Sequence, residues 1–512
     1  MKKHLKRILG ALAVYIVLLV LLLAAEGENP GASIRNFGEA VWFSLITMTT
    51  VGYGDLSPVT PAGRLIGAVF ALCSIGILTA LIGLGITLLS GEFIPRMRLR
   101  RGKRKRWYAF EEENEDAAAL ARALRKEDPD CLLIFPAGEK KPAEGANALR
   151  LDWTQSELLR LRGGAQGLWL LFLGQTDWKN VSGALAACAS GAACVCLSEA
   201  PIDRLPGNMV LFSPLEAMSR SYWKNHPLRS DEHCVVLLGC GAAGSALLER
   251  ALMTNVFESG RNTEYHVFDD TAGFAALHPE AVRALSMEKP GEDTLVFHTE
   301  NWTEERSLLQ RADRILVAYD DEKLNFEIWE ELRTWFGCAA ALHVRLSERV
   351  PGIESFGGRD ESMRPEFVIK DEINRRARLM NDIYNEGSST PTSWEELSAF
   401  LRQSNIAAAD HLIVKARYLL QDETLTELSS ADCARAYARY RELCVEHADR
   451  LQEMEHRRWM RFYQMYNWQY DPIRNNEKRR HPMLLPYEEL TEAEQKKDAF
   501  AWEMLGRLSE KE

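Results

Sequence analysis

The sequence predicts a multidomain protein in which an α-helical membrane domain precedes two α/β domains and an α-helical C-terminal module. Three observations support this fold class. Two uncharged apolar stretches lie near the N terminus, a strand–glycine turn–helix pattern starts at Cys234, and a segment dense in charges and aromatic rings begins near Pro365. About 420 of the 512 residues follow the second apolar stretch, which is room for three domains of ordinary size.

The two apolar stretches predict an outer helix over 8–25 and an inner helix over 65–89, within a membrane domain of residues 1–92. Each stretch is long enough to cross roughly 30 Å of hydrocarbon. A basic start and small residues at its end also fit a cleaved signal peptide for the first stretch, but the second stretch needs a partner helix. Gly76 lies just past the middle of the inner helix, where a glycine serves either as a gating hinge or for tight helix packing.

Basic residues predict the orientation of these helices. They cluster before the first stretch and directly after the second, whereas the segment between the stretches has only Arg35 and Arg64. The positive-inside rule therefore places both termini in the cytoplasm of a multi-pass cell-membrane protein. We expect the basic linker, residues 93–106, to contact anionic lipid headgroups.

The segment between the two stretches contains the most specific motif of the chain. Residues 47–55 read Thr-Met-Thr-Thr-Val-Gly-Tyr-Gly-Asp, and they follow an apolar run over 40–48 that predicts a short helix. Gly52 and Gly54 permit the positive φ values that turn neighbouring carbonyls to one side. Main-chain carbonyls stacked in this way, contributed by four copies of the strand, replace the hydration shell of K⁺.

This segment resembles the two-helix potassium channels. The resemblance implies that 40–48 is the pore helix, that 49–54 is the selectivity filter, and that four identical subunits form one pore as a homotetramer. It implies filter residues Thr49, Thr50, Val51, Gly52, Tyr53 and Gly54, with K⁺ held at Thr50, Val51, Gly52 and Tyr53 and with Asp55 at the outer mouth.

Charge and cysteine content limit the remaining functions. The net charge is −11 despite the basic linker, so the rest of the chain is acidic, which argues against nucleic acid as a partner. The ten cysteines show no zinc-binding spacing, and a cytosolic location predicts reduced thiols.

Residues 230–356 predict a Rossmann-like domain. An apolar strand ending at Leu238 is followed by Gly-Cys-Gly-Ala-Ala-Gly and a helical run, and the next strand ends in an acidic pair. The turn glycines let backbone amides approach a phosphate, and an acidic residue binds ribose hydroxyls. The predicted nucleotide-binding residues are Gly239, Gly241, Gly244 and Asp269. Because Asp269 lies farther beyond the turn than the usual roughly twenty residues, a domain that keeps the fold without a ligand stays an alternative.

Two further features bear on this pair of α/β domains. The strand 312–318 and its acidic continuation, Tyr-Asp-Asp-Glu-Lys-Leu-Asn at 319–325, resemble the regulator-of-potassium-conductance (RCK, TrkA-N-like) domains, which hang from the inner helices of channels as a ring.

Residues 107–229 predict a degenerate copy of this domain, because the turn at 111–116 has five carboxylates and no glycine. Such a turn repels phosphate, so we expect a structural domain. A divalent cation at these carboxylates is an alternative to a solvated helix start.

Residues 365–510 form a segment whose sequence pattern is helical and which is rich in aromatic and charged residues. One helix is predicted to start at Ser393. The elements Arg-x-Trp at 457–459, Trp-x-Tyr at 468–470 and Asn-Glu-Lys-Arg-Arg-His-Pro at 476–482 resemble the ryanodine-receptor repeat (RyR) domain. The resemblance implies a sensor of nucleotide-derived ligands, since basic groups complement phosphates and aromatic faces stack on bases. The candidates are Lys415, Arg457, Arg458, Trp459, Trp468, Arg479, Arg480, His481 and Tyr487. Alternatively, the rings are core anchors, the arginines pair with local glutamates, or the module contacts another protein.

Together these features predict a potassium channel gated by a cytosolic small-molecule nucleotide (NAD, ATP or a cyclic oligonucleotide), bound by the RyR module, the second Rossmann domain or both. We expect no enzymatic activity, because no catalytic arrangement of His, Lys or Tyr follows the glycine turn. Two alternatives remain, a membrane-anchored nucleotide sensor and an NAD-dependent enzyme, each with a non-conducting pore.

Overall fold

The computed structural model describes residues 2–90, 93–138, 145–287 and 291–511, without the side chains of 2–12, 73–78, 80–81, 84 and 86–93. The chain divides into two compact units, Met1–Arg101 and Gly102–Glu512.

The first unit is helical. Its helices cover both apolar stretches and the basic linker, with bounds α1 Lys2–Glu26, α2 Phe37–Met48, α3 Pro61–Ser90 and α4 Phe93–Arg101. Over the part of the chain that is described, no helix combines the length and the apolar character needed to cross a bilayer. Gly76 lies within α3, in the stretch 73–78 whose side chains are not described, so the gating hinge stays a prediction.

Helix α2 starts earlier than the apolar run predicts because a capping box begins it. The Asn36 side chain accepts a hydrogen bond from the Glu39 amide at 3.0 Å, and the Glu39 carboxylate accepts one from the Asn36 amide at 3.1 Å. These bonds satisfy amide groups that the first turn of a helix leaves without partners.

The second unit begins with a six-stranded parallel sheet in the order β3-β2-β1-β4-β5-β6. This is the doubly wound order of the Rossmann fold. The elements are β1 Trp107–Phe110, α5 Glu115–Glu127, β2 Leu132–Phe135, β3 Leu149–Arg150, α6 Gln155–Arg162, β4 Leu168–Phe172, α7 Asp177–Cys188, β5 Ala193–Leu197, β6 Met209–Phe212 and α8 Pro214–Asn225.

A second parallel sheet repeats this topology, in the order β9-β8-β7-β10-β11-β12. Both segments predicted as Rossmann-like therefore have that topology. The elements are β7 Cys234–Leu238, α9 Ala242–Thr254, β8 Glu264–Phe268, α10 Ala272–Leu277, α11 Pro279–Leu285, β9 Thr294–His298, α12 Arg306–Arg311, β10 Arg314–Val317, α13 Glu322–Glu331, β11 Ala341–Arg345 and β12 Glu354–Phe356.

The C-terminal segment contains two long helices, over Ala399–Leu420 and Ser430–Met465, and the second is bent where His447 leaves helical geometry. Its elements are α14 Arg359–Ser362, α15 Pro365–Val368, α16 Arg375–Asn385, α17 Ala399–Leu420, α18 Ser430–Met465, β13 Gln469–Tyr470, β14 Arg480–His481, α19 Glu492–Gln495 and α20 Phe500–Lys511.

The helix start predicted at Ser393 is wrong, because α17 begins at Ala399 with Ser398 as its cap. Ser393 does bond the Glu396 carboxylate at 2.9 Å, as a capping residue would. The turn stops there because Glu395 pairs with Arg378 at 2.7 Å and Trp394 is buried beneath the same guanidinium. Tertiary contacts thus override the local helix signal.

The C-terminal helices share one hydrophobic core with the second α/β domain, and α17 and α18 pack against α9. A buried ionic contact joins the same parts. The Asp410 carboxylate on α17 accepts hydrogen bonds from Arg220 on α8 at 2.8 and 2.9 Å and from Arg250 on α9 at 3.3 Å. Helices from both α/β domains are thereby bonded to one side chain of the C-terminal segment.

Candidate functional site

The predicted selectivity filter has an alternating backbone. Thr50, Gly52 and Gly54 have φ values of 60°, 55° and 74°, so every second residue is left-handed. Alternation of left- and right-handed residues turns successive peptide groups the same way, with N–H groups on one side and carbonyls on the other. The amides of Val51 and Gly52 both donate to the Ile46 carbonyl, at 3.0 and 3.2 Å, which fixes the N–H side of this strand against the end of α2.

Contacts between α2 and residues 53–55 hold the C-terminal end of the predicted filter. The Trp42 indole donates to the Asp55 carboxylate at 3.0 Å, and the Trp42 and Tyr53 rings stack at 6.3 Å with planes 8° apart. Asp55 is therefore held beside the filter by a specific bond and is not a freely moving surface carboxylate.

A buried carboxylate that the sequence analysis missed anchors the segment after the filter. Glu26, the last residue of α1, accepts hydrogen bonds from the amides of Val59 and Thr60 at 2.9 and 2.8 Å and from the Thr60 hydroxyl at 2.5 Å. The signal was present in the sequence, because Glu26 is the first acidic residue after a long uncharged stretch.

The glycine turn of the second α/β domain lies where β7 meets both β8 and β10, which is the point where strand order reverses. In open α/β sheets, ligands bind in the crevice at this point. Gly239 has φ +103°, and a Cβ there would lie 2.5 Å from the Tyr319 amide nitrogen. A Cβ on Gly244 would lie 1.9 Å from the Gly239 carbonyl oxygen. Only glycine fits either position, so both have the close backbone approach that the motif predicts.

Carboxylates of the chain itself occupy the amide donors of this turn. Asp320, just after β10, accepts hydrogen bonds from the amides of Ala242 and Ala243 at 3.1 and 3.2 Å. These amides form the N-terminus of α9, which is the usual position of a bound phosphate. Asp269 accepts from the Cys240 amide at 2.8 Å. A Cβ on Gly241 would lie only 2.4 Å from an Asp320 oxygen, so the carboxylate rests directly on the turn.

The corresponding turn of the first α/β domain is closed by side chains. Asn114 caps α5 by accepting from the Ala117 amide at 2.8 Å, and it also donates to the Leu173 carbonyl at 2.7 Å. Glu113 is buried and pairs with Arg150. Burial, together with the neighbouring Glu112, raises the pKa of Glu111. The carboxylates predicted here therefore differ in environment, and one of them is already neutralised by a guanidinium.

Two of the predicted ligand-binding cations in the C-terminal segment lie in its interior. Lys415 and Arg458 are almost fully buried, and both pair with the buried Glu455, at 2.7 and 2.6 Å. Burial opposes the ionised form of Glu455, but Arg458 and Lys415 outweigh that effect and hold its pKa well below the usual range. Burial also lowers the pKa of Lys415. In this triad two buried cations share one buried carboxylate, so their charged groups face one another.

The predicted aromatic candidates form a packed cluster with His481. The ring centroids of Trp459 and Trp468 lie 4.9 and 6.2 Å from that of His481, and Tyr463 lies between the two tryptophans. Trp468 and His481 are buried, whereas Trp459 is half-buried. Tyr487 is also buried and donates to the Gln452 side chain at 3.2 Å.

The remaining basic candidates point in different directions. Arg457 reaches the Gly291 carbonyl of the second α/β domain at 3.3 Å. Arg479 is exposed and donates to the Tyr466 carbonyl at 2.9 Å, and the adjacent Arg480 is half-buried on β14. The structure brings Trp459, Trp468 and His481 together and Lys415 and Arg458 together, but it does not gather all nine candidates around one site.

Family models match one segment in each unit. Residues 8–90 match the model described as "Ion channel", and residues 441–507 match the RyR domain. These matches confirm the resemblances predicted for the two segments, which together are less than half of the chain.

Individual relatives match chiefly through short segments. The voltage-gated potassium channel of Aeropyrum pernix is 45% identical over 74 residues, which is 14% of this chain and 22% of that protein. The potassium voltage-gated channel subfamily A member 5 of Oryctolagus cuniculus is 32% identical over 165 residues, which is 31% of this chain and 23% of that protein. The chain thus spans less than a quarter of the length of each of these relatives.

Solved structures of the GsuK channel are similar at low identity. One is 11% identical, with a TM-score of 0.43, and the alignment covers 72% of this chain and 85% of that chain. GsuK bound to ADP is 14% identical, with a TM-score of 0.38 and coverage of 81% and 98%. GsuK bound to NAD is 11% identical, with a TM-score of 0.37 and coverage of 83% and 86%.

Proposed function

We propose that this protein is a potassium-selective channel of four identical subunits in the cell membrane, controlled by a nucleotide that binds the unit Gly102–Glu512. The observation that carries the proposal is the alternating backbone at Thr50, Gly52 and Gly54, held against α2 on its N–H side. Such a strand presents main-chain oxygens on its other side, and oxygens from four copies replace the water around K⁺. The relatives that match this part of the chain are themselves named potassium channels.

The exposure of two predicted filter side chains in the single chain supports assembly of four subunits. Val51 and Tyr53 are 53% and 69% exposed although both belong to the filter. A tetramer covers these faces with the same residues of its other subunits. The C-terminal end of α2, which points at the filter, carries a partial negative charge that favours a cation.

The glycine turn supports the nucleotide part of the proposal. A phosphate that entered the crevice would take the Ala242 and Ala243 amides from Asp320, since both anions need the same donors. Displacing Asp320 frees the β10–α13 connection and alters the start of α9. Because Arg250 on α9 is bonded to Asp410, such a change is passed to the RyR segment and to Arg220 on α8.

The energy needed for gating is modest per subunit. Moving a pore from 1:99 to 99:1 open requires roughly 5.5 kcal/mol of differential binding, or about 1.4 kcal/mol for each of four subunits. In this mechanism the ligand moves the linker of residues 93–106 and through it the inner helices, and anionic lipids hold the basic side chains of the linker.

Potassium flux from proteoliposomes tests this function. Gly52→Ala is expected to abolish flux, because an alanine at φ +55° costs roughly 1–2 kcal/mol and moves the filter carbonyls. Gly31→Ala is the matched control, since a Cβ there meets only ordinary contacts. Equal flux in the wild type and Gly52→Ala contradicts the filter assignment. Nucleotide binding without any flux favours a membrane-anchored sensor, and turnover of NAD favours an enzyme.

A further inference from the structure

A cavity of about 560 Å³ lies between α8 and the segment around β12, where the two α/β domains meet. His226 and Glu354 lie in its wall, and His343 lies beside them. His226 ends α8, while His343 on β11 and Glu354 on β12 are register partners in neighbouring parallel strands. Two consecutive strands and the end of a helix that is distant in the sequence therefore place two imidazoles and a carboxylate together.

The distances within this group suit a shared ligand. One ligand atom of each residue lies within 4.8 Å of the other two, and His226 Nδ1 is 4.0 Å from a Glu354 oxygen. The two imidazole centroids are 4.9 Å apart with planes at 76°. The Glu354 and His226 side chains are 62% and 26% exposed, so both have room to turn toward a shared ion.

His343 supplies an independent sign of a missing partner. Its side chain is buried, with 6% exposure, and among the described residues its Nδ1 has no hydrogen-bond partner. A buried polar atom without a partner costs roughly 1–3 kcal/mol. A metal ion bound at this atom would supply the missing partner, because a neutral imidazole nitrogen is a common metal ligand.

The charged groups around the site leave it suited to a cation. Two cations lie near the site, and each is paired: the Arg314 guanidinium with Glu232 at 2.7 Å and with the His226 and Pro227 carbonyls, and Arg349 with Glu361 at 2.9 Å. Arg314 and Glu232 compensate each other, so Glu354 remains as a carboxylate that faces the two imidazoles.

We propose that His226, His343 and Glu354 bind a divalent transition-metal ion of the zinc class, with its fourth position open to the cavity. Two histidines and one glutamate form a ligand set that zinc accepts while it keeps one position for water or another ligand. Imidazole nitrogen favours Zn²⁺ over Mg²⁺ and Ca²⁺, which prefer oxygen ligands. The bound ion fastens the edge strand β12 to α8, and this role is independent of the proposed channel function.

A second group of ligand-type residues serves as an internal comparison. Cys234, Glu264 and His266 also lie within 4.8 Å of one another. There, however, Arg311 pairs with Glu264 at 2.8 Å and lies 3.2 Å from His266 Nε2, so a cation already occupies the donors. We expect no metal at this second group.

Metal analysis of the purified, tag-free full-length chain tests the proposal. After equilibration with Zn²⁺ and removal of the free ion, elemental analysis is expected to find one zinc per chain, and Co²⁺ in its place is expected to give the visible bands of tetrahedral coordination. His226→Ala and Glu354→Gln each remove a metal ligand and are expected to weaken zinc binding by roughly a hundredfold or more. Changing a residue that only orients a metal ligand already weakens binding by up to roughly a hundredfold.

Matched variants separate this site from others. Glu361→Gln changes another carboxylate of the same cavity, and His233→Ala changes an exposed histidine, and both are expected to retain zinc. The proposal is overturned if the wild-type chain binds no zinc, or if His226→Ala and Glu354→Gln retain it. Loss of zinc in His266→Ala alone also overturns it, by assigning the ion to the second group.

Discussion

Removal of the Asp320 charge is expected to tighten nucleotide binding. The carboxylate accepts two hydrogen bonds, from the Ala242 and Ala243 amides at 3.1 and 3.2 Å, and a phosphate must break both. A hydrogen bond to a charged group contributes about 1 kcal/mol more than one between neutral groups. Asp320 is exposed and both bonds are long, so we take less than the full sum of the two contributions. The resulting value for the pair is about 1.4 kcal/mol, which is a tenfold change in affinity. Asp320→Asn is therefore expected to bind ADP or NAD about tenfold more tightly.

Isothermal titration of ADP and NAD into the purified full-length chain measures this effect. Asp321→Asn is the matched control, because that neighbouring carboxylate caps α13 through the Lys323 and Leu324 amides and does not contact the glycine turn. Unchanged affinity in Asp320→Asn would show that the ligand does not use the α9 amides. Weaker binding would show that Asp320 contributes to the site, for example through a bound cation.

Two further predictions concern stability and conduction. Glu455→Gln leaves Lys415 and Arg458 buried without their shared carboxylate, so we expect a loss of roughly 3–5 kcal/mol, measured as a lower Tm of the full-length chain. Trp42→Phe keeps a ring beside the predicted filter but removes the hydrogen bond that holds the Asp55 carboxylate, so we expect reduced potassium flux in proteoliposomes.

Controls for these two changes come from the same chain. Glu453→Gln removes a carboxylate of α18 that is only half-buried, and Trp178→Phe changes a tryptophan that is 69% exposed. Neither control should alter Tm or flux appreciably. A Glu455→Gln chain with an unchanged Tm would mean that the buried cations find other partners, and normal flux in Trp42→Phe would mean that Asp55 does not brace the filter.

Much of the fold was predictable because periodic apolar patterns are local. The strand Cys234–Leu238 lies where the sequence predicts it, and both α/β segments have the doubly wound order. The positive φ values at residues 52 and 54 were predictable for a related reason, since Gly52 and Gly54 permit them within the motif itself.

The site details that were missed depend on contacts between distant residues. Nothing near Asp320 in the sequence indicates that its carboxylate meets the start of α9, because that contact forms only when β10 pairs with β7. Lys415 and Arg458 have the residue types of a phosphate site, but whether a cation faces solvent or a buried Glu455 depends on helix packing. Local helix signals fail in the same way at Ser393, where burial of Trp394 ends the turn.

The shared core of the C-terminal helices and α9 has a consequence for protein engineering and for evolution by domain shuffling. A graft that begins at residue 365 would cut through one continuous apolar interior, and it would separate Asp410 from Arg220 and Arg250. Two buried guanidinium groups would then lose a common counter-ion. A transplantable sensor from this protein must therefore carry at least α8 and the second α/β domain along with its RyR helices.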